Sequence, residues 1–190
     1  MTGAPPRGTR VGLMATCLVD LFRPTVGFAA AKLLEDAGCI VDVPSQTCCG
    51  QPAYNSGDKG HARALALQMI ETFEGFDYVV TPSGSCGGTM IRHYPEMFEG
   101  DPELQRRAQR FAAKCFELVS FLTDVMKVEK VASSFPRKVT YHDSCSGLRE
   151  LGIQAQPRKL LATVEGLELV EMKDSDVCCG FGGTFAVKFG

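Results

Sequence analysis

Apolar runs alternate with segments of helical periodicity in the first half of the chain. Three short runs, rich in apolar and β-branched residues and bounded by turn residues, predict buried strands. They span residues 10–16, 39–43 and 77–82. Two segments between them repeat apolar residues every three or four positions, which predicts a helix from Pro24 to a stop near Gly38 and a second helix over 58–74. This alternation predicts a parallel sheet with right-handed crossovers.

The second half begins with one long predicted helix and then repeats the strand–helix pattern. Asp101 caps this helix, and its apolar stripe runs from Leu104 through Cys115 to Leu122. After a connector, two further strands with a helix between them are expected. They are predicted over residues 138–144, about 155–163 and 167–172.

The repeat is also visible in the spacing of the cysteines. Cys17 and Cys145 are 128 residues apart, and Cys48 and Cys178, each the first of a Cys-Cys-Gly motif, are 130 residues apart. Two matching offsets on a distinctive motif indicate an internal duplication. We therefore predict an α/β fold of two pseudo-repeated Rossmann-like units with short parallel sheets, the second truncated. The units are predicted at 1–130 and 131–190.

Composition excludes two classes of partner. The formal net charge is −2, Trp is absent and aromatic residues make up 8% of the chain, so a basic or base-stacking nucleic-acid surface is not expected. No run approaches the roughly 18 apolar residues of a membrane span. The first ten residues lack the apolar region of a signal peptide. These features predict a cytoplasmic protein with no nucleic-acid partner and no transmembrane segment.

Nine cysteines are many for a chain of 190 residues without a secretion signal. In the reducing cytosol such cysteines more often bind metal or do redox chemistry than form disulfides. Seven of them follow predicted strands, at the edge where open α/β sheets bind ligands. These seven are Cys17, Cys48, Cys49, Cys86, Cys145, Cys178 and Cys179. Cys39 and Cys115 lie at apolar positions and are predicted to be core residues.

The first four of these cysteines have a spacing that suits an iron–sulfur cluster. Adjacent thiolates such as Cys48 and Cys49 do not readily bind one metal ion together, but they can reach two irons of one cluster. Four thiolates are also the common complement for such a cluster. Nearby glycines let the backbone approach closely. Because thiolates also bind zinc, a structural zinc site in a non-enzymatic scaffold stays open as the alternative.

Five segments resemble the cysteine-rich CCG domain family: TCLVD, CCGQPAYNSG, SGSC, HDSC and CCGFGGTF. This family includes the cysteine-rich component of heterodisulfide reductase, glycolate oxidase iron–sulfur subunits and the lactate utilisation proteins. The resemblance to the A type of the last group covers nearly the whole chain. It implies a [4Fe-4S] electron-transfer subunit of an oxidoreductase complex that oxidises L-lactate to pyruvate. It also implies two partners, a ferredoxin-like iron–sulfur subunit and a further lactate utilisation subunit.

The resemblance also assigns residues. Four cysteines match ligands of a first cluster and three match ligands of a second. The first four are Cys17, Cys48, Cys49 and Cys86, and the other three are Cys145, Cys178 and Cys179. A redox subunit like those of heterodisulfide reductase or glycolate oxidase is the alternative within the family.

Two departures from the family pattern bear on these sites. The Cys-x-x-Cys of heterodisulfide reductase is replaced by SCGGTM, with Cys86 alone, which argues against a five-thiolate cluster. The second unit would need a further cysteine near position 216, whereas the sequence ends at Gly190. We therefore expect an incomplete second site and a homodimer that covers apolar residues of the last segment. These residues are Phe181, Phe185, Val187 and Phe189.

Several polar residues near the cysteines are predicted to be structural rather than functional. They are His142, Asp20, Asp143 and Arg149, of which the last three could instead meet a hydroxy-acid. Three arginines of the long helix are predicted to form a solvated face. They are Arg106, Arg107 and Arg110.

Overall fold

A computed structural model describes residues 4–180 and contains a four-stranded sheet. The strands are β1 (Arg10–Leu13), β2 (Ile40–Asp42), β3 (Tyr78–Thr81) and β4 (Cys115–Glu117). All neighbouring strands are parallel and their order is β2-β1-β3-β4. The α/β class and the parallel sheet predicted from the periodicity are therefore confirmed.

Helices follow every strand of this sheet. They are α1 (Cys17–Phe22), α2 (Pro24–Asp36), α3 (Gln51–Asn55), α4 (Lys59–Phe73), α5 (Gly84–Gly88), α6 (Tyr94–Met97), α7 (Pro102–Ala112) and α8 (Leu118–Ser120). Two π-helical turns, Thr89–His93 and Phe121–Val125, extend α5 and α8. α2 and α4 lie where the apolar periodicity predicts them, within two residues at each end.

Helices cover both faces of the sheet, and each face has its own core. Val79 and Val80 are neighbours in β3 and their side chains enter opposite cores, as the alternation of a strand requires. One core is formed mainly by α4, α6 and α7 and includes Cys49 and Cys86. The other is formed by α2 and the segment from Leu118 to Met126. The first core therefore reaches the cysteines directly.

The long helix predicted through Leu122 is wrong. α7 ends at Ala112, and Cys115–Glu117 instead pair with β3 as the edge strand β4. Lys114 anchors this change of direction, since its Nζ donates to the carbonyls of Phe73, Glu74 and Phe76 at 2.8–2.9 Å. The apolar residues of the short strand and of the segment after it continue the spacing of the helix before them. The sequence therefore imitates the period of one long helix.

The last third of the described chain carries a second, two-stranded parallel sheet. It contains β5 (Lys138–Val139), α9 (Cys145–Arg149), α10 (Ala155–Leu161) and β6 (Glu168–Leu169). Both strands are shorter than predicted. Leu160 of α10 is part of the core on the α2 face of the first sheet. The boundary between residues 130 and 131 stays a prediction.

Glycines bring α9 directly onto α5. A Cβ at Gly84 would lie 2.8 Å from the backbone nitrogen of Gly147 and 2.9 Å from Ser144 Oγ, closer than packed atoms come. A Cβ at Gly88 would collide with Glu150 Oε2. Gly84 and Gly88 therefore permit close contact between these two helices. The helix that carries Cys86 thus packs on the helix that begins at Cys145.

Among the described residues, no helix is long and apolar enough to cross a membrane.

Candidate functional site

Four cysteines lie at the carboxyl ends of three adjacent parallel strands. Cys17 is the first residue of α1, directly after β1, and Cys86 lies in α5, directly after β3. Cys48 and Cys49 lie in the segment between β2 and α3. Because parallel strands end at the same edge of a sheet, the fold brings these residues together from distant parts of the sequence. We call them the first cysteine group.

The four thiols of the first cysteine group lie close together. Cys49 Sγ lies 3.4 Å from Cys86 Sγ. The thiols of Cys49 and Cys17 are near enough to Cys48 to lower its pKa. Cys49 and Cys86 are buried, with 2% and 7% of their surface exposed, while Cys17 is exposed. The group therefore extends from the protein interior to the surface.

The local environment separates the acidities of these thiols. Hydrogen bonding to the Cys49 thiol and to the backbone N–H of Gly50 lowers the pKa of Cys48 to about 5, while burial opposes both. The pKa of Cys49 is raised by its hydrogen bonds to Cys48 and Cys86 and by burial. The pKa of Cys86 is lowered, first by Cys49. Thiolates are the form that binds metal, so the group contains ready ligands near neutral pH.

Neutral hydrogen bonds hold the Cys48–Cys49 segment in place. The hydroxyl of Tyr94, which is fully buried, donates to the carbonyl of Cys49 at 2.8 Å. Gln46 Nε2 donates to the carbonyls of Leu13 and Pro44, both at 3.2 Å, and so ties this segment to the end of β1. The sequence analysis did not identify Tyr94 or Gln46, because neither belongs to the cysteine motif.

Side-chain caps place Cys17 and Cys145 at the starts of short helices that the periodicity did not predict. Thr16 Oγ1 accepts from Val19 N at 3.1 Å at the start of α1. Ser144 Oγ accepts from Gly147 N at 3.2 Å at the start of α9. Ser and Thr before a helix are common caps of this kind, so the signal was present in the sequence.

A second cysteine group lies after β5 and β6. Cys145 is the first residue of α9, and the thiol of Cys178 is near enough to raise its pKa. The Gly180 N–H donates to Cys178 Sγ at 3.4 Å, which, together with Cys145, lowers the pKa of Cys178. Cys178 and Cys179 are both exposed. The structure therefore brings Cys145 and Cys178 together at the surface.

An ion-pair network braces the second cysteine group. Arg158 donates to both carboxylate oxygens of Asp143, at 2.7 and 2.9 Å, and also pairs with Glu171 at 2.7 Å. The backbone N–H of Asp143 donates to the carbonyl of Ser175 at 2.8 Å. Asp143, two residues before Cys145, is 1% exposed, and its pKa is lowered by Arg158. Sequence analysis missed Arg158, which is far from any cysteine along the chain.

The structure also places the other residues that the sequence singled out. His142 Nε2 contacts the carbonyl of Val177 at 2.9 Å, which agrees with the structural role predicted for it. Arg107 lies on the partly exposed face of α7 and pairs with Glu74 at 3.0 Å. Cys39 and Cys115 are buried in the two cores, as predicted. The four apolar residues of the last segment, Phe181, Phe185, Val187 and Phe189, lie outside the described residues.

The donor set of the first cysteine group is four thiols, which suits soft metals and iron–sulfur clusters rather than magnesium or calcium. Within residues 4–180, no group of three or more His, Cys, Asp or Glu side chains is arranged around a single metal ion. Four thiols are the complement that either an iron–sulfur cluster or a thiolate zinc site takes.

Comparison with known proteins identifies the family. The family described as "Cysteine-rich domain" (CCG) matches residues 11–91 and 139–190. Lactate utilization protein A of Geobacillus kaustophilus is 53% identical over 182 residues, which cover 95% of this chain and 76% of that protein. Its counterpart in Bacillus subtilis is 49% identical over 180 residues, which cover 94% and 75% of the two chains. The chain therefore belongs to the cysteine-rich CCG domain family and to the lactate utilization protein A family.

Proposed function

We propose that this chain is an iron–sulfur electron-transfer subunit of a complex that oxidises L-lactate to pyruvate. The observation that carries the proposal is the convergence of Cys17, Cys48, Cys49 and Cys86 from three strand ends into one connected set of thiols. The lactate substrate follows from the name of the relatives, and the redox chemistry follows from the thiols.

The first cysteine group would hold the cluster. When bound, a cluster at this position supplies a one-electron site. Cys49 and Cys86 would hold its buried side, Cys17 its exposed side, and Cys48 would enter as a thiolate at neutral pH. Tyr94 and Gln46 would fix the Cys48–Cys49 segment before and after binding. An exposed edge beside a buried anchor is what electron transfer to a partner protein requires.

The second cysteine group would provide Cys145, Cys178 and Cys179 to a second centre. Packing of α9 on α5 places this group beside the first, since α5 carries Cys86 and α9 begins at Cys145. Two partners complete the proposed system, a ferredoxin-like iron–sulfur subunit and a further lactate utilisation subunit. The proposed location is the cytoplasm.

A structural zinc site is the second candidate, and one distance favours it. The 3.4 Å separation of the Cys49 and Cys86 sulfurs is close to the edge of a zinc–thiolate tetrahedron, about 3.8 Å for Zn–S bonds of about 2.3 Å. The adjacency of Cys48 and Cys49, whose thiolates do not readily bind one metal ion together, favours the cluster.

Metal analysis of anaerobically purified protein separates the two candidates. The cluster predicts iron and acid-labile sulfide in equal amounts, with broad visible absorption that bleaches on reduction. One equivalent of zinc without sulfide, retained after reconstitution with iron and sulfide, would refute the cluster and support the scaffold.

A further inference from the structure

A cleft of about 340 Å³ opens beside the exposed end of the first cysteine group. Its wall includes both outer thiols of the group, Cys17 and Cys48. The remaining wall combines apolar side chains with polar ones, among them Leu21, Val43, Asp20 and Gln46. Any protein that covers this cleft would lie against the thiols that connect the group to the surface.

The rim of the cleft is an unpartnered apolar helix face. Leu18, Leu21 and Phe22 are 50%, 72% and 71% exposed and occupy positions i, i+3 and i+4 of α1, so they share one face of that helix. Val43, on the opposite wall, is 51% exposed. Scattered exposed apolar residues are ordinary, but a contiguous apolar face beside a cleft is typical of an interaction site.

Two side chains of the cleft carry acceptor oxygens that meet no donor among residues 4–180. The Asp20 carboxylate makes no hydrogen bond or ion pair with the described part of the chain, and it is exposed. The amide nitrogen of Gln46 donates to two carbonyls. Its Oε1 is buried and has no partner among residues 4–180. The walls contain no Lys or Arg. The cleft therefore complements a cationic donor and repels an anion.

We propose that this surface, defined by α1, Val43 and the cleft between them, is where the redox partner docks, with a Lys or Arg of that partner entering the cleft. The aliphatic stem of such a side chain would lie along Leu21 and Val43, and its charged end would meet Asp20. Apolar residues of the partner would cover Leu18 and Phe22. The inference rests on the proposed function, in that the partner is a redox protein, and adds the chemistry by which it is recognised.

Charge favours a cationic redox partner over two other possible occupants of this surface. A second copy of this chain docked by the same face would bring two Asp20 carboxylates toward one another, because a two-fold contact pairs the same patch on both subunits. An anionic lipid surface would meet the same carboxylate and find no basic residue in the cleft. A protein that presents a cation surrounded by apolar residues meets both the exposed Asp20 carboxylate and the exposed apolar rim.

Binding to a purified ferredoxin-like iron–sulfur subunit from the same cell tests the docking surface. The variants are Leu21→Glu and Asp20→Asn. The control is Phe135→Glu, which places the same charge at another exposed apolar residue, 51% exposed against 72% for Leu21, in the connector before β5. Calorimetry gives Kd, and iron and sulfide are measured on every variant.

We expect Leu21→Glu to weaken binding at least tenfold, because a charge would have to be buried at the apolar rim. Asp20→Asn should weaken it roughly threefold to tenfold and flatten its salt dependence. Phe135→Glu should leave Kd within about twofold of the original. Iron and sulfide should stay unchanged in all three, so that loss of binding is not loss of the metal centre.

Equal Kd values for the original chain and both cleft variants would overturn the docking surface, as would failure of the original chain to bind. Leu21-dependent self-association, or Leu21-dependent binding to phosphatidylglycerol vesicles, would overturn it in favour of a second copy or a membrane. A chain without iron that still binds through Leu21 would refute the proposed function and leave the docking surface standing.

Discussion

The two cysteine groups share a motif but are supported by different chemistry. In both, a Ser or Thr caps the helix that begins at the lone cysteine, and the glycine after the cysteine pair is left-handed, with φ of 82° at Gly50 and 73° at Gly180. The first group is held by a buried phenol and an amide, from Tyr94 and Gln46. The second group is held by an ion pair between the buried Asp143 carboxylate and the partly exposed Arg158.

This difference shows that the repeated motif determines the helix cap and the turn at each group, whereas the supporting contacts depend on the surrounding fold. Cap and glycine are encoded within a few residues of each cysteine, so a duplicated sequence reproduces them. The residues that support each group lie outside the motif, and they differ between the two halves of the chain. We infer that the first group is the more rigid, because its supports are neutral hydrogen bonds that salt does not screen.

Substituting one cysteine from each group should give the largest effect. Cys86→Ser removes the ligand that meets Cys49 in the core, so it should abolish the iron of the first centre. Cys145→Ser should remove a smaller share of the iron, because it affects the second group alone. Iron and sulfide analysis of the purified variants measures both.

The matched control for these variants is Cys115→Ser, which changes a buried cysteine that does not belong to either group. It should keep its iron. Equal iron loss in Cys86→Ser and Cys115→Ser would contradict the assignment of Cys86 as a ligand.

Gly84→Ala should push α9, which begins at Cys145, away from α5, which carries Cys86. Its Cβ would lie 2.8 Å from the Gly147 nitrogen, and because that atom is backbone, α9 has to move. We expect a loss of about 3 kcal/mol in the free energy of unfolding, at the upper end for overpacking, as measured by urea denaturation. Gly75→Ala is the control, because a Cβ there would have nothing within 4 Å. Equal stability of the two variants would show that α5 and α9 do not touch.

Arg158→Met should affect the second group and leave the first unchanged. It leaves the Asp143 carboxylate buried without its partner, which we expect to cost about 2 kcal/mol, less than for a fully buried pair because Arg158 is 22% exposed. Hydrogen exchange should speed up around Ser175 and stay unchanged around Cys49. Arg137→Met, at an exposed arginine, is the control. Equally faster exchange at both groups would mean that they share one support.

Tyr94→Phe should give the smallest effect, and it should be confined to the first group. The Cys49 carbonyl would lose its buried donor, at a cost of about 1 kcal/mol. Release of iron to a chelator should be faster than from the unchanged chain. Tyr78→Phe, whose hydroxyl makes no hydrogen bond within residues 4–180, should change neither quantity. Unaltered iron release in Tyr94→Phe would show that the hydrogen bond does not position Cys49.

Periodicity sufficed for elements that have one polar and one apolar face. α2 and α4 have such faces, so their bounds could be predicted closely. Cys115–Glu117 could not, because a strand of three residues carries no period of its own and its position depends on pairing with β3. The short helices at the cysteines were missed for a similar reason. Their capping residues determine where they form, and their few residues show no apolar period.

The cysteine positions of the candidate site were accessible from the sequence because strand ends of a parallel sheet converge. Its supports were not. Tyr94 contacts Cys49 from 45 residues away and Arg158 reaches Asp143 from 15, and neither distance leaves a pattern along the chain. Their roles depend on how helices pack after the sheet has formed.

The strand order β2-β1-β3-β4 determines when the first cysteine group can assemble during synthesis. β1 and β2 bring Cys17 and the Cys48–Cys49 pair to one edge early, and Cys86 joins when β3 adds to the other side of β1. All four thiols are therefore available on the ribosome long before Cys178 has been made. A cell that loads metal onto the nascent chain would fill the two groups in sequence, the buried one before the exposed one.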